Sequence, residues 1–191
     1  MKKAFLIVVI LFVSVMSTAC INNFAVQELN NKAKSYLDNG DYENAISRLK
    51  SSLDIDSTIF ETHYNLGIAY TQAEKYDEAI KTFESAIKLK PGFSDTYYSK
   101  AVAEENYAKG IIDGTLKDDD NKKEDSDLLE ISKKQKVLTN DEKTLVSKLL
   151  NDSIASYQTY LQKSSQATDK QEVEEKIEYL KTMLTKYSTQ E

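Results

Sequence analysis

Apolar residues fall in stripes at helical spacing along most of this chain. Leu66, Tyr70, Ile80, Phe83 and Ile87 make one stripe, broken in its middle by polar residues. Ala33, Tyr36, Ala45, Leu49 and Leu53 make another before it, broken at Asn39-Gly40-Asp41. Spacings of three and four mark one face of an α-helix, and the breaks mark turns, so each stripe predicts two helices joined by a tight turn. Gly40 supplies the positive φ that such a turn needs. Pro91 ends the second pair, because it lacks an amide hydrogen and clashes with the preceding turn. Leu145, Leu149, Tyr157 and Leu161 predict the inner side of a long helix from about Asn140 to Lys163, opened by a capping box at Thr139-x-x-Glu142. Val173, Ile177, Leu180 and Leu184 predict a last amphipathic helix, with Thr168-x-x-Gln171 as its cap.

The order His63-x-x-Leu66-Gly67-x-x-Tyr70, Ala79-x-x-x-Phe83, Pro91 resembles the tetratricopeptide repeat, with His63 where that family most often has Trp. The resemblance implies a period of about 34 residues and repeats at 26–59 and 60–93. One period on, Tyr97 and Ala101 match His63 and Gly67, but Asp113 stands where Ala79 calls for a small residue. The pattern resumes at Ile154-x-x-Tyr157-x-x-x-Leu161, 74 residues after Ile80. A third repeat over 94–165 is therefore expected, interrupted at about 109–148. The implied fold is all-α: a right-handed TPR-type α-solenoid of about three helical hairpins, a capping helix at 168–187 and a tail at 188–191. Gly67 and Ala79 are expected to meet across paired helices.

The interruption opens with Asp113-Gly114 and a charged run through Asp127, the composition of a solvated segment. Asp118 and Asp120 have the spacing of a calcium loop, but Lys122 and Lys123 fill its next acidic and glycine places, so no metal is expected. Leu128, Leu129, Ile131 and Val137 predict a short helix that needs packing to persist.

Before the repeats, Lys2 and Lys3 precede an apolar run from Phe5 to Met16, and Ser17-Thr18-Ala19 then leads to Cys20. This is the order of a secretory signal, and the run is shorter than the roughly 20 residues a bilayer span needs. Met16-Ser17-Thr18-Ala19-Cys20 resembles the lipobox of bacterial lipoprotein precursors, with Ser17 where an apolar residue is usual. The resemblance implies a signal peptide at 1–19, diacylglycerol on Cys20, a short linker at 20–25, and an exported protein anchored to a bacterial membrane of the cell envelope. Ser17-x-Ala19 also suits an ordinary signal peptidase, which would leave Cys20 as the first residue of a free secreted protein.

Composition removes several classes of function. The formal charge is −6, which disfavours tracking a nucleic-acid backbone. One Cys and one His leave no disulfide framework and little for a metal cluster or nucleophilic dyad, and no glycine-rich phosphate loop is present. No enzyme activity, cofactor or small-molecule substrate is expected. The family resemblance instead implies a groove lined by the first helix of each repeat, which would present Asn30, Asn31, Lys34 and Leu37, then Tyr64, Asn65, Ile68 and Thr71, then Tyr98, Ser99 and Val102. Such a groove implies a protein or peptide partner. Within the family, a clamp of Lys, Asn and Arg grips C-terminal carboxylates; here Asn65 fits, while Asn30, Lys34, Asp95 and Ser99 depart from it, so that use is not expected. The competing expectation is a structural subunit of an envelope assembly, docking through the insertion and the last helix.

Overall fold

The computed structural model describes residues 23–116, 137–164 and 168–187. Among them are seven helices and no strand: α1 (23–38), α2 (Tyr42–Ile55), α3 (Phe60–Gln72), α4 (Tyr76–Leu89), α5 (Ser94–Asp113), α6 (Asn140–Lys163) and α7 (Lys170–Tyr187). From α2 onward each helix packs on the next, and α3 also touches α5. Neighbours in sequence are neighbours in space, with the first helices of successive hairpins side by side, which is the order of a solenoid. The signal segment, Cys20, Asp118, Asp120, Leu128, Leu129 and Ile131 lie outside the described residues.

The hairpin turns repeat in register. Gly40 takes φ +75°, and the Asp41 amide donates to the Tyr36 carbonyl at 2.9 Å. One period later Glu74 takes φ +62°, and the Lys75 amide donates to the Tyr70 carbonyl at 2.9 Å. A glutamate in left-handed backbone costs about 1–2 kcal/mol, so the packing of the hairpin, not the residue, dictates this turn.

Small residues set the approach of the helices. Ala33, Ala45, Ala69, Ala79, Ala86 and Ala101 are all fully buried. Leu49 and Leu66 fill the seam among α1, α2 and α3, with Tyr36, Leu37, Leu53 and Tyr70 packed against it. In the next seam Phe83 is fully buried against Ala79 and Ala103. A Cβ built on Gly67 would lie 2.6 Å from Phe83 Cε1, so what the missing side chain at Gly67 admits is the Phe83 ring. Ile80 and Ile87 are only partly buried, and Ala86 holds the deep place on the last turns of α4.

The third hairpin is longer than the others. The place of Glu74 recurs at Ala108, inside α5, and the helix runs on to a left-handed Gly114 at φ +68°. There the Thr115 amide donates to the Gly110 carbonyl at 3.0 Å, and Leu116 folds back on Gly110. On the other side α6 starts at Asn140 behind the complete capping box of Thr139 and Glu142. The flanks of the expected interruption are thus helical, and they carry core: Ile111, Val146, Leu149 and Leu150 are buried together with Leu138. Leu145 is not on the inner side, being 37% exposed; that side runs through Val146, Leu149, Leu150, Ile154, Tyr157 and Tyr160. Val137 is 89% exposed. Val173, Ile177 and Leu180 of α7 are buried on this core, with Leu184 beside them. The carbonyl of Asp169, not Thr168, accepts the first helical bond of α7, and its carboxylate accepts the Tyr160 hydroxyl at 2.8 Å.

Polar groups key α6 to α5. Ser153 Oγ donates to the Ala101 carbonyl, Ser156 Oγ to Glu104 and the Tyr157 hydroxyl to Glu105, each at 2.9 Å. Glu104, at the place of Tyr70 one period on, is 1% exposed and paired with Lys100; Glu105 is paired with Lys109. Burial pushes the Glu104 carboxyl upward, against the lowering by Lys100 and Ser156. A slipped α6 would strand these groups at about 1–3 kcal/mol each.

Two outcomes follow. Gly67→Ala should lower stability in denaturant unfolding by about 1–3 kcal/mol, although Ala is the better helix former, because the ring of Phe83 must move; unchanged stability would show that the ring is not fixed. An acid with a raised folded-state pKa favours the fold most when protonated, and loses that advantage as pH rises. Glu104→Gln should therefore gain stability relative to the parent as pH rises through and above the ordinary carboxylate range; a difference that is flat or shrinks with pH would contradict the assignment.

Candidate functional site

The helices α1, α3 and α5 share one open face. Aromatic packing fixes its middle. Tyr64 stacks on Phe60 at 5.9 Å and meets Phe93 edge-on at 5.6 Å, while Lys90 sits 4.9 Å above Phe60. The Tyr64 hydroxyl lies 3.4 Å from Ser99 Oγ, linking α3 to α5 across the face. Tyr98 meets Tyr157 at 5.4 Å and Tyr160 at 5.2 Å, both edge-on, and Lys176 of α7 covers it at 5.6 Å. Burial and the Glu105 carboxylate push the Tyr157 hydroxyl upward, so it remains a donor. These rings cannot swing freely, and the face they bound is preformed.

Two hollows open on it. Between α3 and α5 a cavity of about 150 Å³ is lined by Ile68, Thr71, Gln72, Phe83, Tyr98, Ser99 and Val102. Its walls are apolar; the Thr71 hydroxyl is spent on the Gly67 carbonyl at 2.9 Å. Between α1 and α3 a hollow of about 340 Å³ is lined by Asn23, Val26, Gln27, Asn30, Asn31, Ile59, Glu61 and Asn65. Asn30 aside, four amide side chains and one carboxylate make this a hydrogen-bonding surface.

The sequence-predicted residues divide accordingly. Ile68, Thr71, Tyr98, Ser99 and Val102 share the apolar cavity, and Asn30, Asn31 and Asn65 share the amide hollow. Asn30 is turned inward: its amide nitrogen donates to Ser52 Oγ at 2.8 Å, Thr62 Oγ1 at 3.0 Å and the Val26 carbonyl at 2.9 Å. Leu37 packs into the first seam, and Lys34 is exposed but lines neither hollow. Sequence reasoning missed Phe83, Gln72 and Glu61. The glycine at 67 was the signal for Phe83, since an aromatic opposite a missing side chain reaches through to the other face. His63 Nε2 lies 2.9 Å from the Ser57 carbonyl, which ties it to the turn before α3. Among the described residues no group of three or more His, Cys, Asp or Glu could hold a metal ion, and no helix is long and apolar enough to cross a membrane.

Known proteins resemble this chain in its repeats and its fold. The family described as tetratricopeptide repeat matches residues 60–93, and a second TPR-repeat family matches residues 33–73. Chitin biosynthesis protein CHS6 of Saccharomyces cerevisiae is 32% identical over 89 residues, 46% of this chain; the match spans only 12% of that relative's length. The first TPR domain of human RPAP3 superposes with a TM-score of 0.59 at 14% identity, covering 84% of this chain and 95% of that one. The first TPR of Spaghetti (RPAP3), bound to the HSP90 peptide SRMEEVD, gives 0.57 at 14% identity, with 84% and 93% covered. The second TPR domain of human RPAP3, in complex with the HSP70 peptide SGPTIEEVD, gives 0.56 at 17% identity, with 82% and 98% covered. At such identities the likeness is one of fold. With the turns in register and these matches, residues 33–93 carry tetratricopeptide repeats, and the described residues fold as an all-α TPR-type solenoid.

Proposed function

We propose that this chain is a non-catalytic interaction scaffold of the bacterial cell envelope, which holds a protein or peptide partner on the face of α1, α3 and α5. One observation carries the reading: the apolar cavity between α3 and α5 is built from rings and aliphatics whose positions are already fixed. A preformed hollow of this size receives a side chain without the ordering cost that a mobile surface would add. The peptide-bound relatives support the same use of the fold. The amide hollow beside it suits the backbone of an extended segment. The lipid anchor on Cys20 rests on the order of charge, apolar run and small residues in the first twenty positions.

A second reading is a structural subunit that docks through the insertion and α7. It draws on Tyr179 of α7, which is 52% exposed. Because Leu116 and Leu138 both pack into the third hairpin, the segment to exchange is 117–136. In crosslinking from intact cells, Thr71→Arg with Val102→Arg should abolish partner capture, and a Gly-Ser replacement of 117–136 of equal length should spare it. The reverse pattern would favour docking and overturn the groove.

The anchor has its own check. Mass spectrometry of the mature N-terminus should find acylated Cys20, and Cys20→Ser should release the protein from membranes. An unmodified cysteine there would end the anchor reading.

A further inference from the structure

We infer that the solenoid stands on a lipid surface on one edge, made by the start of α1 and the turns after α2 and α4, with Phe24, Ile55 and Leu89 in the headgroup layer. The inference rests on the lipid anchor proposed for Cys20 and adds how the folded part meets the lipid.

Antiparallel helices bring every second turn to the same edge. The amide hollow joins Asn23 and Val26, in the first turn of α1, to Ile59 and Glu61 at the start of α3. Phe60 then meets Phe93 edge-on at 5.1 Å, and Lys90 lies over both rings. The start of α1 and the turns at 56–59 and 90–93 are thus continuous. Phe24 is 70% exposed there, Ile55 38% and Leu89 41%. Ile55 and Leu89 are the last residues of α2 and α4 and hold the same place one period apart. Exposed apolar residues scattered singly need no explanation, so these three matter only through what stands beside them.

That neighbour is the anchor. Only Ile21 and Asn22 separate Cys20 from Asn23, where α1 begins. Such a link spans at most about 11 Å, and the headgroup layer on one side of a bilayer is itself about 5–8 Å deep. Diacylglycerol on Cys20 therefore holds the start of α1 at the lipid, with no long tether on which the folded part could swing away. Val137 and Leu145 are also exposed, but they lie toward the other edge, by the start of α6. The 20 residues of α5 set the two edges about 30 Å apart, so the anchor decides which one meets the membrane.

Charge neither draws this edge to lipid nor bars it. Asp54 and Asp56 flank Ile55, while Lys88 and Lys90 flank Leu89. Glu61 and Asp95 open α3 and α5, and Lys163, Asp169 and Lys170 stand at the turn before α7. Glu28, one turn beyond Phe24, is paired with Lys32. With the charges so nearly balanced, the contact is apolar, and long lysine stems let Leu89 go deeper than its neighbours' ammonium groups. The helices then stand upright on the membrane, and the face of α1, α3 and α5 opens sideways along it.

The test uses the full-length lipoprotein in vesicles of mixed phosphatidylcholine and phosphatidylglycerol. Acylation occupies the chain's one cysteine, so a cysteine placed elsewhere is the single reactive thiol. Phe24→Cys, Ile55→Cys and Leu89→Cys are compared with Asp38→Cys and Asp77→Cys, exposed residues of the opposite edge. Each rate of labelling by a charged maleimide is divided by the rate for the same variant carrying Cys20→Ser, free in solution, which removes the effect of local burial. The three edge sites should be slowed about 10-fold, because side chains sunk in the headgroup layer are out of the reagent's reach, and the two opposite sites should be unchanged. Equal ratios at both edges, or slowing at Phe24→Cys alone, would overturn the inference and leave the anchor standing wherever mass spectrometry finds Cys20 acylated. An unmodified Cys20 would remove both.

Discussion

The ring of Phe83 lies where Gly67 has no side chain, and the rest of the stack is arranged around that contact. The ring occupies the space a Cβ at position 67 would need, so α3 and α4 could not keep this packing with a side chain there. The same ring packs on Ala103 of the next hairpin and forms part of the wall of the cavity between α3 and α5. One side chain therefore joins the two helices of a repeat, joins that repeat to its neighbour, and shapes the hollow on the far side. Core and binding face share atoms here, so the face cannot change shape without disturbing the seam behind it.

Much of this was legible in the sequence because it depends on local spacing. The stripes at 33–53 and 66–87, Gly40, Pro91 and the capping box at Thr139 are short-range signals, and each fixes a turn or a face by itself. The misses have a common cause. A left-handed Glu74, a buried Glu104 and an exposed Leu145 are all decided by what lies across the gap, which no local pattern records. Leu145 and Val146 differ by one position and about 100° of helix phase, and only the placement of α5 and α7 decides which faces inward.

The face itself was legible in outline and wrong in detail. Offsets from the repeat placed Ile68, Thr71, Tyr98, Ser99 and Val102 around one cavity. They could not foresee that Asn30 would turn its amide into the interior to meet Ser52 and Thr62. That pair of hydroxyls sits on α2 and α3, far from Asn30 in the chain, and a buried polar pair attracts a third polar group because leaving it unmet is costly.

The third hairpin ends its first helix with its own glycine and begins its second with its own cap. Each helix terminates on local instructions, and the serine, glutamate and tyrosine contacts between them set their alignment. Doubling the length of a connection between two fixed ends costs only about 0.6 kcal/mol. The joint is thus a place where a lineage could splice, lengthen or rewrite sequence while the scaffold on either side stays the same.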